Sequence, residues 1–291
     1  MGLCDVTMNV QGVEVERAYK KSSMNVLHAG YNIGAAAAAC AGAFFAATSL
    51  SVWVNFLLPA LVMSAMLRWA EPRLVTGTEG RADKSTAASP ESAEPQKRLP
   101  FLVWICGLLC VCCYVSEGSV GEWGSLYLHQ EKGAPESIAA LVFAGFSMCS
   151  LLCRLTGDRL RNNFGDFAVG TAGATLALVG MLTVLTASSW SVCLIGYAMM
   201  GLGQAPIVPI AFSRAGAIKG VSTARATSLV SLLAYAGLLF APPAFGLSAE
   251  HFGLHTALCA VPVLLTFMLG LTIFLGRLIR RSREENASTA A

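Results

Sequence analysis

Charge is scarce in this sequence. Only 13% of its 291 residues are Asp, Glu, Lys or Arg, where a soluble domain carries roughly 25%. Too little charge is present to cover a water-facing surface. A mean hydropathy of +0.62 points instead to a protein solvated by lipid. Histidine is scarcer still. His28, His129, His251 and His255 are scattered along the chain, so they form no nucleophile–base or metal-ligand set at one depth, which a membrane enzyme would need. His251 and His255 have helical i, i+4 spacing, but Gly253 lies between them in an expected outer loop.

The ten cysteines include no C-x-x-C pair with histidines at zinc spacing. Nine of them fall in apolar runs, and Cys4 lies beside Asp5 in the opening stretch. Cys106, Cys110 and Cys113 form a helical stripe, read as small polarizable packing residues between helices. No metal, cofactor, enzymatic activity or nucleic-acid partner is expected. A basic leader is missing too: an aspartate comes fifth, so the start is not a secretory signal.

What the chain has in quantity is long apolar runs. About 20 such residues cross the roughly 30 Å of hydrocarbon as a helix. Eight runs qualify, at 24–50, 52–70, 99–118, 137–153, 167–187, 190–212, 226–249 and 256–276. Residues 2–15 read as the second half of another. The runs are long and do not alternate, so an all-α polytopic bundle is expected and a barrel is not. Counted over alternate connections, nineteen of the twenty Lys and Arg residues fall on one side, and only Lys132 lies opposite. That side is cytosolic by the positive-inside rule, and the C-terminus lies there. Four parts follow: residues 1–70, a polar linker at 71–98, a six-helix unit at 99–281, and a cytosolic tail at 282–291.

Polar residues recur at one depth. Asp5 stands nine residues before Glu14, about 13 Å inside, with Asn9 one turn on along the same face. Counted from the nearest basic residues, Asn32 lies about 16 Å in, and Gln204 and Tyr235 about 15 Å in. Interhelical hydrogen bonding accounts for the last three as well as a solute pathway does. A mid-depth carboxylate is a poor structural glue, so Asp5 is expected to face a cavity or a partner. His28, one turn nearer the cytosol than Asn32, reads as an interfacial polar tip or a proton relay. Glu117 could line an outer vestibule, with Trp123 and Tyr127 as interfacial anchors. "GLCDVTMNV" from position 2 and "GLGQAPIVP" from position 201 form a faint repeat that sets Asp5 against Gln204. Repeated halves around a midplane site are a transporter plan. Pro206 and Pro209 are expected to loosen the helix that carries Gln204.

"DVTMNVQGVEVE", "LHAGYNIGA", "SEGSVGEWGSLYL" and "CRLTGDRLRNNFG" resemble the major facilitator superfamily, in its bacterial branch that includes the fucose–proton symporter and related inner-membrane permeases. The resemblance covers essentially the whole chain. It implies two six-helix halves joined by a long cytosolic loop. Residues 2–15 would then end helix 4, the eight runs would be helices 5 to 12, and helices 1 to 3 with half of helix 4 would be absent. "RLTGDRLRNNFG" resembles the family's signature loop, with Cys153 where its leading glycine stands. Arg154, Gly157, Asp158, Arg159 and Gly165 are thus expected in a gating turn, where Asp158 faces Arg159, Arg161 or the N-terminus of a neighbouring helix.

By the same resemblance Asp5 takes part in proton coupling. The function implied is alternating-access transport of a sugar or small organic solute, with or without proton coupling, by a multi-pass inner-membrane protein that is a monomer at full length. Drug or metabolite efflux is the alternative substrate class. A mis-assigned start, a degraded gene that leaves an inactive fragment, a truncated protein joined by another subunit, and a non-transporting scaffold are the alternatives raised by the absent helices.

Overall fold

The computed structural model describes residues 2–30, 32–34, 52–73, 100–218 and 220–290, with backbone alone at 2–5, 52, 55, 73 and 279–290. Most of the run expected at 24–50, including Cys40, lies outside the described residues, as do residues 74–99, which hold most of the linker expected at 71–98, and the side chains of the tail. Among the described residues the regular elements are all helices. They are α1 (Gly2–Tyr19), α2 (helical at 24–30 and 32–34), α3 (Val52–Ala70), α4 (Phe101–Ser119), α5 (Ser125–Gln130), α6 (Glu136–Ala139), α7 (Val142–Thr186), α8 (Trp190–Gln204), α9 (Ile207–Gly216), α10 (Thr223–Phe252), α11 (Leu254–Leu258) and α12 (Ala260–Ala290). Among the described residues, five stretches are long and apolar enough to cross a membrane: Phe101–Gln130, Glu136–Thr186, Trp190–Gly216, Thr223–Phe252 and Leu254–Leu278.

Helix α7 has 45 residues, about 68 Å if straight and more than twice the bilayer core. It is not straight. Gly165 takes φ 80° and ψ 158°, a conformation that only glycine adopts without strain, and the chain doubles back there. Helix α8 shows the reversal. Its Gly201 packs on the Phe146 backbone and its Gly203 on the Gly173 backbone, yet a straight helix would hold positions 146 and 173 about 40 Å apart. The apolar run expected at 137–153 therefore extends as a helix to Phe164. The charged signature stretch stays helical until Gly165 ends it.

The second arm of α7 meets α8 along a glycine ladder. Gly173 faces Gly203, and seven residues along each helix Gly180 faces Gly196. A Cβ at Gly180 would stand 2.6 Å from the Gly196 carbonyl oxygen, so a larger side chain cannot be held without parting the backbones. The run expected at 190–212 divides between α8 and α9 at Ala205 and Pro206, where proline removes a helix hydrogen bond. Helix α4 continues through a π turn at Val120–Gly124 into α5.

The core of the 100–278 bundle holds Phe146, Tyr127, Tyr197 and Phe212, with the buried thiols of Cys106, Cys110, Cys112, Cys113 and Cys193. Lys132 has a structural role. Its Nζ donates to the carbonyls of Leu185 at 3.2 Å and Ala187 at 2.8 Å, which satisfies acceptors at the C-terminus of α7. Helices α1 and α2 join the bundle through Val13, close against Gly216, and the buried Met24. In α3 every described side chain up to Trp69 is exposed.

Candidate functional site

Helix α2 begins where no helical turn precedes it, so its first amides lack intrahelical acceptors. The first of its own bonds runs from Leu27 N to Ser23 O at 3.2 Å. Two carboxylates satisfy the amides before it. Ser23 N and Met24 N donate to Glu16 Oε1 at 2.9 and 3.1 Å. Asn25 N donates to Asp158 Oδ1 at 3.2 Å and Val26 N to Asp158 Oδ2 at 3.0 Å. The Asn25 side chain adds Nδ2 to Asp158 Oδ1 at 2.9 Å. Both anions also meet the positive end of the helix dipole. Gly157 makes the approach possible, since a Cβ there would stand 2.9 Å from Asn25 Cγ. Beside these contacts Ser22 N donates to Asn162 Oδ1 at 3.1 Å.

Arg161 gathers the carboxylates. Its guanidinium lies 3.3 Å from Glu16, 3.5 Å from Asp158 and 2.8 Å from Asp166, and donates to Ser213 Oγ at 3.0 Å. The Ser213 hydroxyl in turn donates to Glu16. Arg214 pairs with the other Asp166 oxygen at 2.6 Å, and Arg17 donates to the Gly216 carbonyl. The planar fork of arginine suits such many-sided pairing. The chain doubles back at Gly165, so the turn and its charges lie at one end of the two arms of the Glu136–Thr186 stretch. Burial there would raise the Asp166 carboxyl, but Arg161 and Arg214 outweigh it and hold the group below the usual carboxylate range.

A second polar level lies deeper. Gln204 Nε2 donates to Ser116 Oγ at 2.7 Å, and Gln204 is ten residues before Arg214, about 15 Å from the charged turn. Arg154 is eleven residues before Gly165, about 16 Å from the same turn, and only 8% exposed. Helix α2 and the first arm of α7 run antiparallel. The contact of Asn25 with Gly157 therefore sets His28 level with Arg154 one turn further in. His28 Nε2 lies 3.0 Å from Asn9 Oδ1, which accepts its hydrogen, and its ring lies 5.9 Å from that of Phe212. Arg154 Nε, Gln204 Oε1, Asn32 Nδ2 and Ser231 Oγ are buried without a hydrogen-bond partner among the described residues.

The residues singled out in the sequence fall into two groups. Asn9, His28 and Gln204 lie at the deeper level, with His28 buried rather than at an interface. Glu117 is half-buried next to Ser116, Asn32 is half-buried, and Tyr235 stands edge-on to Tyr114 at 6.1 Å between ring centres. Asp5 lies on α1 one turn before Asn9, and its side chain is outside the described residues. Gly157, Asp158 and Gly165 build the turn and its contact. Asp158 meets Arg161 and a helix N-terminus, while Arg159 is exposed and takes no part. Arg154 belongs to the deeper level and not to the turn. The resemblance to the signature loop groups it with the turn, since the matching stretch opens at Arg154. Glu16, Asn25, Asp166 and Ser213 were not singled out. The sequence signal for Glu16 is a carboxylate seven residues before a serine that opens an apolar run.

A multi-pass helical membrane protein whose opening helices are joined to a distant bundle by a charged seam is the class defined by this fold and site. The chain belongs to the Major Facilitator Superfamily, whose family profile matches residues 123–291. It is 32% identical over 278 residues to an uncharacterised transporter of Sinorhizobium fredii, covering 90% of this chain and 71% of that protein. It is 28% identical to an uncharacterised MFS-type transporter of Yersinia pestis, covering 91% of this chain and 67% of the relative. Among solved structures it resembles the superfamily transporter FucP in the outward conformation, with TM-score 0.52 and 23% identity. That match covers 61% of this chain and only 44% of FucP, so the chain spans less than half of that protein.

Proposed function

We propose that this chain carries a small polar organic solute across the membrane by alternating access, as a secondary transporter with its basic face toward the cytosol. The single observation behind this reading is the contact of Asp158 with the N-terminus of α2. It joins elements 133 residues apart through bonds that can break as a unit. With the contact made, the cytosolic side is closed. With it broken, the opening helices are free to part from the bundle. The outward conformation named for FucP is consistent with a closed cytosolic side here. The solute path runs through the deeper polar level, and proton coupling is assigned to Asp5, one turn before Asn9. Protonation would remove the cost of moving a buried charge.

The test is solute counterflow in proteoliposomes. Asp158→Asn keeps the shape and removes the charge, and is expected to slow exchange by about tenfold, the effect of ~1.4 kcal/mol. Exchange at the wild-type rate rejects the gate. Asp5→Asn is expected to retain counterflow and lose its response to a pH gradient; an intact pH response rejects the coupling role.

A further inference from the structure

A cavity of about 240 Å³ lies among the second arm of α7, α4, α9 and α12. Leu109, Ile207, Ile210 and Leu275 make part of its lining apolar, and Asp166 and Arg214 charge the part beside Gly165. The hydrogen-bonding capacity of this lining is one-sided. Both Asp166 oxygens are taken, Oδ1 by Arg161 and Oδ2 by Arg161 and Arg214. The hydroxyl of Thr272, another lining residue, donates to the Met268 carbonyl at 2.8 Å. Arg214 uses only its Nε, 2.6 Å from Asp166, and its Nη atoms donate to nothing among the described residues. Its side chain is 28% exposed. The cavity thus presents a ligand with guanidinium donors, which suit an anion, next to apolar walls that a small hydrated anion does not cover.

Two apolar grooves meet this cavity along the second arm of α7. One, of about 690 Å³, shares Phe167 with it, and the other, of about 660 Å³, shares Phe164. Phe164 and Val179 are exposed, so the grooves open on the outer surface of the bundle. From Phe167 to Val179 the first groove follows twelve residues of helix, about 18 Å. One leaflet holds about 15 Å of hydrocarbon, half of the bilayer core. An anion site at the head of two grooves of leaflet depth matches an amphiphile with two chains. A single-chain acid leaves one groove empty. A zwitterionic head brings an ammonium group to Asp166, whose two oxygens are already engaged.

We propose that this cavity and its grooves bind an anionic diacyl phospholipid, its phosphate on the Arg214 guanidinium and its chains along the second arm of α7. A guanidinium fork bonds a phosphate in two places at once, and basic pockets between membrane helices hold anionic headgroups in this way. Lipid tails gain little by leaving other tails for an apolar groove, so preference among lipids comes from the headgroup. The inference takes only the orientation of the basic face from the transport reading, and it stands whether or not a solute is carried.

The test titrates the full chain, stripped of lipid in a neutral detergent, with phosphatidylglycerol, phosphatidylcholine or inorganic phosphate, and reads affinity from the shift of the unfolding midpoint. Phosphatidylglycerol is expected to bind about tenfold or more tighter than phosphatidylcholine, as for one charged contact, and inorganic phosphate to leave the midpoint unmoved. Arg214→Gln is expected to weaken phosphatidylglycerol by about tenfold. Arg159→Gln makes the same charge change at an exposed residue outside the cavity and should leave that affinity unchanged. Ala172→Trp fills both grooves from an exposed position and keeps the Arg214–Asp166 pair. It should also weaken phosphatidylglycerol, so the answer does not depend on the folding of Arg214→Gln. Equal binding of the two lipids, equal binding by wild type and Ala172→Trp, or a shift with inorganic phosphate as large as the lipid's overturns the site. None of these outcomes bears on solute exchange, which the counterflow assay reads separately.

Discussion

Asp158 and Asn25 are bound by two hydrogen bonds, Asn25 N and Nδ2 both donating to Asp158 Oδ1, at 3.2 and 2.9 Å. One residue belongs to the opening helices and the other to the distant bundle, and both are buried. The amide of Asn25 has no acceptor within its own helix. A carboxylate at that position holds two parts of the fold together and completes a helix end at once.

Arg161 is the hub that holds Asp158, Glu16 and Asp166 in place. Arg161→Ala leaves three carboxylates facing one another without their common cation, and is expected to lower stability by about 3–5 kcal/mol. Arg161→Lys keeps the charge but loses the fork, and is expected to cost about 1–3 kcal/mol. Thermal unfolding in detergent compares the two, and equal losses would mean that charge alone matters.

The Asp166 contribution has a defined pH window. Its folded value lies below the ordinary 3.8, so its stabilisation is complete above that value and lost as pH falls through the folded value. The Asp166-dependent part of stability is therefore expected to be flat between pH 5 and pH 8. The difference between wild type and Asp166→Asn across that range checks it, and a difference that halves within the range contradicts it.

The glycine ladder allows a packing test. Gly203→Ala places a methyl group against the Gly173 carbonyl and is expected to cost about 1–3 kcal/mol through overpacking. Gly270→Ala, with open space around it, should cost nothing or stabilise slightly, because alanine is the better helix former. The pair of unfolding midpoints decides, and equal midpoints would contradict the close approach.

Lys132 is expected to act as a helix cap and not as a solute ligand. Lys132→Met should lower stability by about 1 kcal/mol and leave counterflow affinity unchanged. A large affinity change without destabilisation would assign it to the pathway instead.

Hydropathy made the apolar runs legible, and the side preference of lysine and arginine ordered their ends. The signature loop pointed to Asp158 and to a helix N-terminus as one of its partners. The identity of that helix was not legible, because 133 residues separate the partners and no local pattern spans that interval. The signature resemblance groups Arg154 with the turn. Only the antiparallel register of Asn25 on Gly157 shows that it lies one turn inside. Glu16 and Ser213 become functional only through tertiary contact with Arg161. Pro206 and Pro209 pointed to a loosened helix, and the break between α8 and α9 falls at Ala205 and Pro206. The fold-back at Gly165 within one continuous helical stretch needed coordinates.

The most direct test of the central claim is amide hydrogen exchange at Asn25 and Val26 in the membrane-reconstituted chain. These amides are bonded to Asp158 and to nothing in their own helix, so their protection reports the contact between the two parts of the protein. Slow exchange in wild type, accelerated by about tenfold or more in Asp158→Ala while the Gly173–Gly203 region stays protected, is the predicted result. Fast exchange in wild type, or protection unchanged by Asp158→Ala, would contradict the account.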